Sequence, residues 1–210
     1  MRTSATGQAS LLLLDVAAVI DAERIPYAVI GGFAAAIHGV NRSTTDMDVT
    51  MQVALPDLPK LVASFEQAGF VTSVSRGDYD DPIGAVIDLT DTYNNCVEVL
   101  IGIRGLKSAT FSRAIEVPYC GAQLRVIGYE DFLAMKLAAG GPQDLLDVEE
   151  ALKVTPQFDA RLVRMLVEGY GKDATRRFEQ IPGELMKVAR SIDAGSSLDD
   201  DLEPPRGHNR

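Results

Sequence analysis

The sequence has two cysteines in 210 residues, no long apolar run and a shortage of positive charge. Each shortage excludes something. Cys96 and Cys120 cannot build the disulfide framework of a small secreted domain. Both fall in apolar, strand-like runs and read as free buried thiols. Leu11 to Leu14 is apolar, but Asp15 interrupts it and no small-residue cleavage site follows. It is neither a signal peptide nor long enough to span a bilayer, so the expected compartment is the cytoplasm, with no membrane partner. Lysine and arginine number 20 against 30 acids, for a net charge of −10. The tail from Asp193 onward holds five acids against two arginines, and the body before it is acidic as well. An acidic body argues against broad, non-specific nucleic-acid binding, which needs a basic face, and leaves open a local rim of Arg42, Arg76, Arg104, Lys107 and Arg113. No internal repeat is present.

What is there suits one α/β domain with a helical appendage. The hydrophobic content of 46% is that of an ordinary globular protein. A first helix is expected from about Gln8 to Arg24, with Leu11, Leu14, Ala18 and Val19 at helical spacing. Pro26 forces an extended entry into a strand at Tyr27 to Ile30. Pro56 to Pro59 starts a helix that reaches about Ala68, where Gly69 caps it. Strands are expected at 71–75, 85–89 and 96–101. Ile115 to Tyr119 and Ala122 to Ile127, joined at Cys120-Gly121, read as a hairpin. Helices follow from Tyr129 to Gly140, from Gln143 or Asp144 to Lys153, and over about 159–170 and 173–190. From Ser191 the chain turns polar, acidic and Pro/Gly-rich, and is expected to be disordered.

The chemistry concentrates between Tyr27 and Val53. This stretch reads as strand, Gly31-Gly32 turn, short apolar helix, polar loop and second strand. The second strand is expected to open with Asp46-Met47-Asp48, so that both carboxylates project from one face. Like charges that close repel and raise each other's pKa. A hard divalent cation removes the conflict, because Mg²⁺ takes one or two carboxylates plus substrate phosphates. Gly31 and Gly32 let backbone N–H groups approach a phosphate where a helix begins. Arg42 has a guanidinium fork that matches phosphate. Thr44 can orient the loop or touch a phosphate. His38, at the helix end, reads as structural. Glu98 sits in an apolar strand, a costly place for a carboxylate without a partner.

Gly31-Gly32, a short helix ending in His38-Gly39, then Arg42, Thr44 and Asp46-x-Asp48 resemble the nucleotidyltransferase superfamily that includes DNA polymerase β. Within it, the pattern is similar to the AbiEii-type small nucleotidyltransferases of toxin–antitoxin loci. Met47 stands where the pattern usually has Ile or Leu. The dense match covers Ile30 to Val49, with weaker likeness to about residue 152. The resemblance implies an NTP substrate, two Mg²⁺ ions and a third carboxylate. That third group is Glu98, one methylene longer than the usual Asp, with Asp88 as the alternative. It also implies that Lys136 and Asp144 serve the nucleotide. Gly140 to Gln143 stand where similar enzymes carry basic residues, which weakens the case for tRNA as acceptor.

The expectation is therefore an α/β fold: a mixed, twisted sheet with flanking helices (residues 1–153), a C-terminal helical extension (154–191) and an acidic tail (192–210). The expected reaction moves NMP from an NTP to a hydroxyl on RNA, protein or a small molecule. Asp46, Asp48 and Glu98 would hold metal, and Lys136, Arg42, Thr44, Gly31, Gly32 and Asp144 would serve the nucleotide. A cognate toxin or antitoxin partner is implied by the resemblance. The alternative is a non-catalytic nucleotide-binding module acting as antitoxin or scaffold.

Overall fold

Along β5 (Cys96–Ile101), Val97, Val99 and Ile101 are fully buried and alternate with more accessible Cys96, Glu98 and Leu100. β4 (Ala85–Thr90) repeats the pattern, with Ala85, Ile87 and Leu89 inside. This period of two buries one face of the sheet and leaves the other half-open. The computed structural model describes residues 1–186. Its seven strands also include β1 (Tyr27–Ile30), β2 (Asp48–Met51), β3 (Val71–Arg76), β6 (Ile115–Tyr119) and β7 (Ala122–Val126). They run in the order β3-β4-β5-β2-β1-β7-β6. β2 pairs parallel with β5 and β1 parallel with β7, while the other neighbours are antiparallel.

The helices are α1 (Ala9–Ala22), α2 (Gly31–Ile37), α3 (Leu58–Gln67), α4 (Ala109–Ser112), α5 (Tyr129–Ala139), α6 (Pro142–Val154), α7 (Ala160–Tyr170) and α8 (Lys172–Glu179). α1 packs on β5 and β7, α3 on β3, and the two helices touch each other. The C-terminal group is built on α5, which contacts α6, α7 and α8. The fold is thus a mixed sheet with flanking helices. No helix among the described residues is long and apolar enough to cross a membrane.

Four expectations need correction. α1 buries Leu12, Leu13, Leu14, Val16, Ala17 and Ile20, whereas Ala18 is exposed. Four consecutive leucines satisfy several helical phases, and packing against the sheet selects one. β2 starts at Asp48, not Asp46. The Thr44 hydroxyl accepts the Asp46 N–H at 3.2 Å and holds that residue in a local turn. Cys120 is exposed, because it forms the hairpin turn with Gly121, both at positive φ (46° and 79°). α8 stops at Glu179, ahead of Pro182, which disfavours a helical conformation in the residue before it. The one-turn α4 was not foreseen. The acidic tail at 192–210 lies outside the described residues.

Candidate active site

At the β1–α2 junction the chain must turn with Gly31 at φ +65°. A Cβ on Gly31 would lie 1.8 Å from Asp48 Oδ2, and one on Gly32 would lie 2.7 Å from the Thr44 side chain. Both glycines are therefore required by close approach, one by a carboxylate and one by the loop that carries Asp46. No side chain caps the start of α2.

Gly31 and Gly32 form one wall of a cleft of about 680 Å³, with Arg42, Thr44, Asp46 and Asp48 beside them. Lys136, Gln143 and Asp144 approach from α5 and α6, and Leu100, Ile103, Met135 and Tyr170 provide an apolar side. The structure thus gathers the two glycines, Arg42, Thr44, both aspartates, Lys136 and Asp144. Residues from the first and last thirds of the chain meet there.

Glu98 stands differently. In the parallel β2–β5 pair it is the direct partner of Asp48, and in the β4–β5 pair it is the direct partner of Asp88. Directly opposed residues point to the same face, so the three acids form a row across the sheet. Glu98 does not line the large cleft. It lines a smaller one of about 310 Å³, which also includes Asp46. Among the described residues, no group of three or more His, Cys, Asp or Glu side chains is placed to hold a metal ion. The pair that shares the large cleft is Asp46 and Asp48.

The electrostatics single out Asp48. Burial, then Glu98 and then Asp46 push its carboxyl up from 3.8 to about 6, against the pull of Lys136 and Arg42. Glu98 is raised by burial and by the charges of Asp88 and Asp46. A pair of oxygen donors, one of them disfavoured as a bare anion, fits a hard divalent cation.

The cations of the cleft are tethered by a residue that the sequence reading left out of the site. Asp147 is fully buried and accepts hydrogen bonds from Arg42 Nη1 at 3.0 Å and Gln143 Nε2 at 2.8 Å, and its Oδ2 lies 2.8 Å from Lys136 Nζ. Burial alone would raise its carboxyl, but Lys136, Gln143 and Arg42 hold it below the usual range. Lys136 also donates to Asp144 Oδ1 at 2.7 Å, and Asp144 Oδ2 accepts the Gly141 N–H at 3.1 Å. The signal for Asp147 was its position three residues after Asp144, on one helix face. Arg104 also lines the cleft; its Nη2 donates to the Tyr79 and Asp81 carbonyls at 2.6 and 2.9 Å. His38 is structural, as expected: buried, 2.8 Å from the Ile127 carbonyl through Nε2, and packed against Tyr129 and Phe132.

No protein-family model matches the sequence, and no curated protein does. Solved structures do. The antibiotic-resistance protein ANT(2'')-Ia, in complex with adenylyl-2''-tobramycin, superposes with a TM-score of 0.52 at 17% identity, over 79% of this chain and 97% of its own. A nucleotidyltransferase-like protein of Paracoccidioides brasiliensis gives 0.53 at 16% identity, over 89% and 94%. A nucleotidyltransferase-type protein of Thermotoga maritima gives 0.50 at 16%, over 72% and 96%. The fold is a nucleotidyltransferase fold. At such identities the likeness concerns backbone architecture, and the chemistry must be argued from this chain's own residues.

Proposed function

We propose that this protein transfers a nucleoside monophosphate from an NTP to an acceptor hydroxyl, with release of pyrophosphate. The observation that carries the reading is the shared cleft: Asp46 and Asp48 face the Gly31-Gly32 turn and the cations Lys136 and Arg42 within one space. Asp46 and Asp48 would hold Mg²⁺, and the resemblance adds Glu98 as the third carboxylate. Bound there, Mg²⁺ would neutralise the triphosphate and lower the pKa of the acceptor hydroxyl. The Gly31 and Gly32 N–H groups would meet phosphate oxygens. Lys136 and Arg42 would balance phosphate charge, with Asp147 and Asp144 setting their positions. The apolar side formed by Leu100, Ile103 and Met135 is suited to the flat, less polar part of a nucleotide.

A protein or small-molecule acceptor is favoured over RNA. Arg42 and Arg104 line the large cleft, but Arg113 is bound by Asp131 at 2.6 Å and lines a different cavity, so the basic residues of the sheet half do not form one continuous rim. Arg42 and Lys136 lie inside the cleft and are assigned to the triphosphate in this reading. The pairing with a cognate toxin or antitoxin rests on the sequence resemblance. A nucleotide-binding module without transfer is the second reading, and it draws on one observation: Glu98 stands outside the cleft that holds the two aspartates.

The test is thermal unfolding with each of the four NTPs at millimolar Mg²⁺, followed by transfer of α-labelled nucleotide. Mg²⁺ and NTP together should stabilise the wild type by about 2.7 kcal/mol at a hundredfold excess over Kd. Asp48→Asn should lose the metal-dependent part. Absence of any shift with all four NTPs would sink the proposal. Binding with no labelled product in cell extract would leave the module reading.

A further inference from the structure

We propose that the outer edge of β3 pairs with β3 of a second copy of this chain, giving a two-fold symmetric dimer with one continuous sheet. The seven-stranded sheet has two edges, β3 and β6, and they are built differently. Tyr119 and Ala122 are paired directly across the two-residue Cys120-Gly121 turn, so the backbone of Glu116 and Pro118 faces outward from β6. Pro118 has no N–H to offer, and Glu116 is exposed and charged. Both features blunt an edge. β3 carries neither. All six of its residues, Val71–Arg76, pair with β4 without a bulge, none is proline, and the first charge comes only at Arg76. Val71 and Val74 are 64% and 41% exposed. A long, regular, largely uncharged edge is a template for another strand.

The register points to the partner. Just past β3, the Gly77 N–H donates to the Gly84 carbonyl at 3.1 Å. Alternate residues of an antiparallel ladder bond to the same neighbour. Val71, Ser73 and Ser75 therefore bond to β4, and the N–H and C=O groups of Thr72, Val74 and Arg76 point outward. Two copies related by an axis perpendicular to the sheet join antiparallel, with like faces on the same side. Centred on Val74, this pairing sets Val74 against Val74 and Thr72 against Arg76, all with outward backbone groups. Thr72, Val74 and Arg76 share the face of Leu89, Ile87 and Ala85, and α3 packs on β3. On that side Thr72 Oγ1 donates to Glu66 Oε1 of α3 at 2.8 Å, and Glu66 is exposed. Arg76 of each copy thus meets Glu66 of the other, and the symmetry makes the ion pair twice. Centring on Ser73 would instead set Arg76 against buried Phe70. The charge match between Arg76 and Glu66 selects a second copy over an unrelated extended peptide. β3 is separated from β2 and its Asp48 by β4 and β5, so the inference does not depend on nucleotidyl transfer.

Analytical ultracentrifugation of the full chain tests the pairing. With rising concentration the wild type should approach twice the 22.6 kDa of one chain. Arg76→Glu and Glu66→Arg each set like charges against each other across the axis and should weaken the dimer about tenfold or more, while the double variant should return to within about threefold of the wild type. Val74→Pro removes an outward N–H, leaves the β4 ladder intact and should give a monomer. Thermal unfolding checks that each variant is folded, and the two charge variants, both at exposed positions, carry the test if Val74→Pro is not. Hydrogen exchange adds a backbone readout: the Thr72, Val74 and Arg76 amides should exchange about tenfold more slowly in the wild-type dimer than in Arg76→Glu. A single-chain mass at every concentration, a dimer indifferent to a folded Val74→Pro, or a double variant no better than the single ones would overturn the inference.

Discussion

The Asp48 carboxylate lies against the Cα of Gly31, where a methyl group would sit 1.8 Å from Asp48 Oδ2. Two residues that the sequence separates by a helix and a loop are thus packed as one unit. The contact ties the turn that would receive phosphate to the carboxylate that would receive metal.

Gly31→Ala should cost about 2–4 kcal/mol, combining a left-handed backbone with overpacking against Asp48. Gly121→Ala is the control. Gly121 has a similar φ of +79° but nothing within 4 Å of an added Cβ, so only the backbone cost of about 1–2 kcal/mol is expected. Urea unfolding of both variants checks the difference. Equal losses would mean that the Asp48 contact carries no energy.

Asp48→Asn should stabilise the metal-free protein at neutral pH. In the folded chain the Asp48 carboxyl is raised from 3.8 to about 6, so the neutral form is favoured there. Its contribution is fully present below pH 4 and is lost as pH rises through 6. The charged form then costs about 3 kcal/mol. Asparagine stays neutral, so the variant should match the wild type near pH 4 and exceed it above pH 6.5. Added Mg²⁺ should close the gap by stabilising the wild type alone. A constant difference across pH would contradict the account.

Asp147→Ala should destabilise by about 3–5 kcal/mol, because it leaves Lys136 and Arg42 without their shared buried partner. The exposed Lys153–Glu149 pair has the same kind of contact, at 2.7 Å, with side chains 59% and 46% exposed. Lys153→Ala should cost under about 1 kcal/mol. Asp147→Ala should also weaken NTP binding, since the two cations lose their fixed positions. Denaturation and NTP titration of the two variants measure both effects.

What the sequence alone determined is local. Tyr27 to Ile30 is apolar and β-prone, Gly31 must turn, and Asp46-x-Asp48 places two carboxylates at the mouth of a strand. Each follows from neighbours a few residues apart, so backbone preference and side-chain period suffice. Gly140 closing α5 at φ +65° is legible for the same reason.

What only the tertiary structure decided depends on partners far along the chain. The phase of α1 was open until the sheet selected Leu12 and Leu13 over Ala18. Glu98 faces Asp48 because β2 and β5 pair in parallel with that register, which no local pattern encodes. Asp147 holds Arg42 across 105 positions, and its carboxylate is affordable inside only because two cations and an amide meet it there. The separation of Glu98 from the larger cleft, with Asp46 as the wall between, arises from strand order. Burial and charge pairing act over distance in space, and the sequence specifies that distance only through the fold.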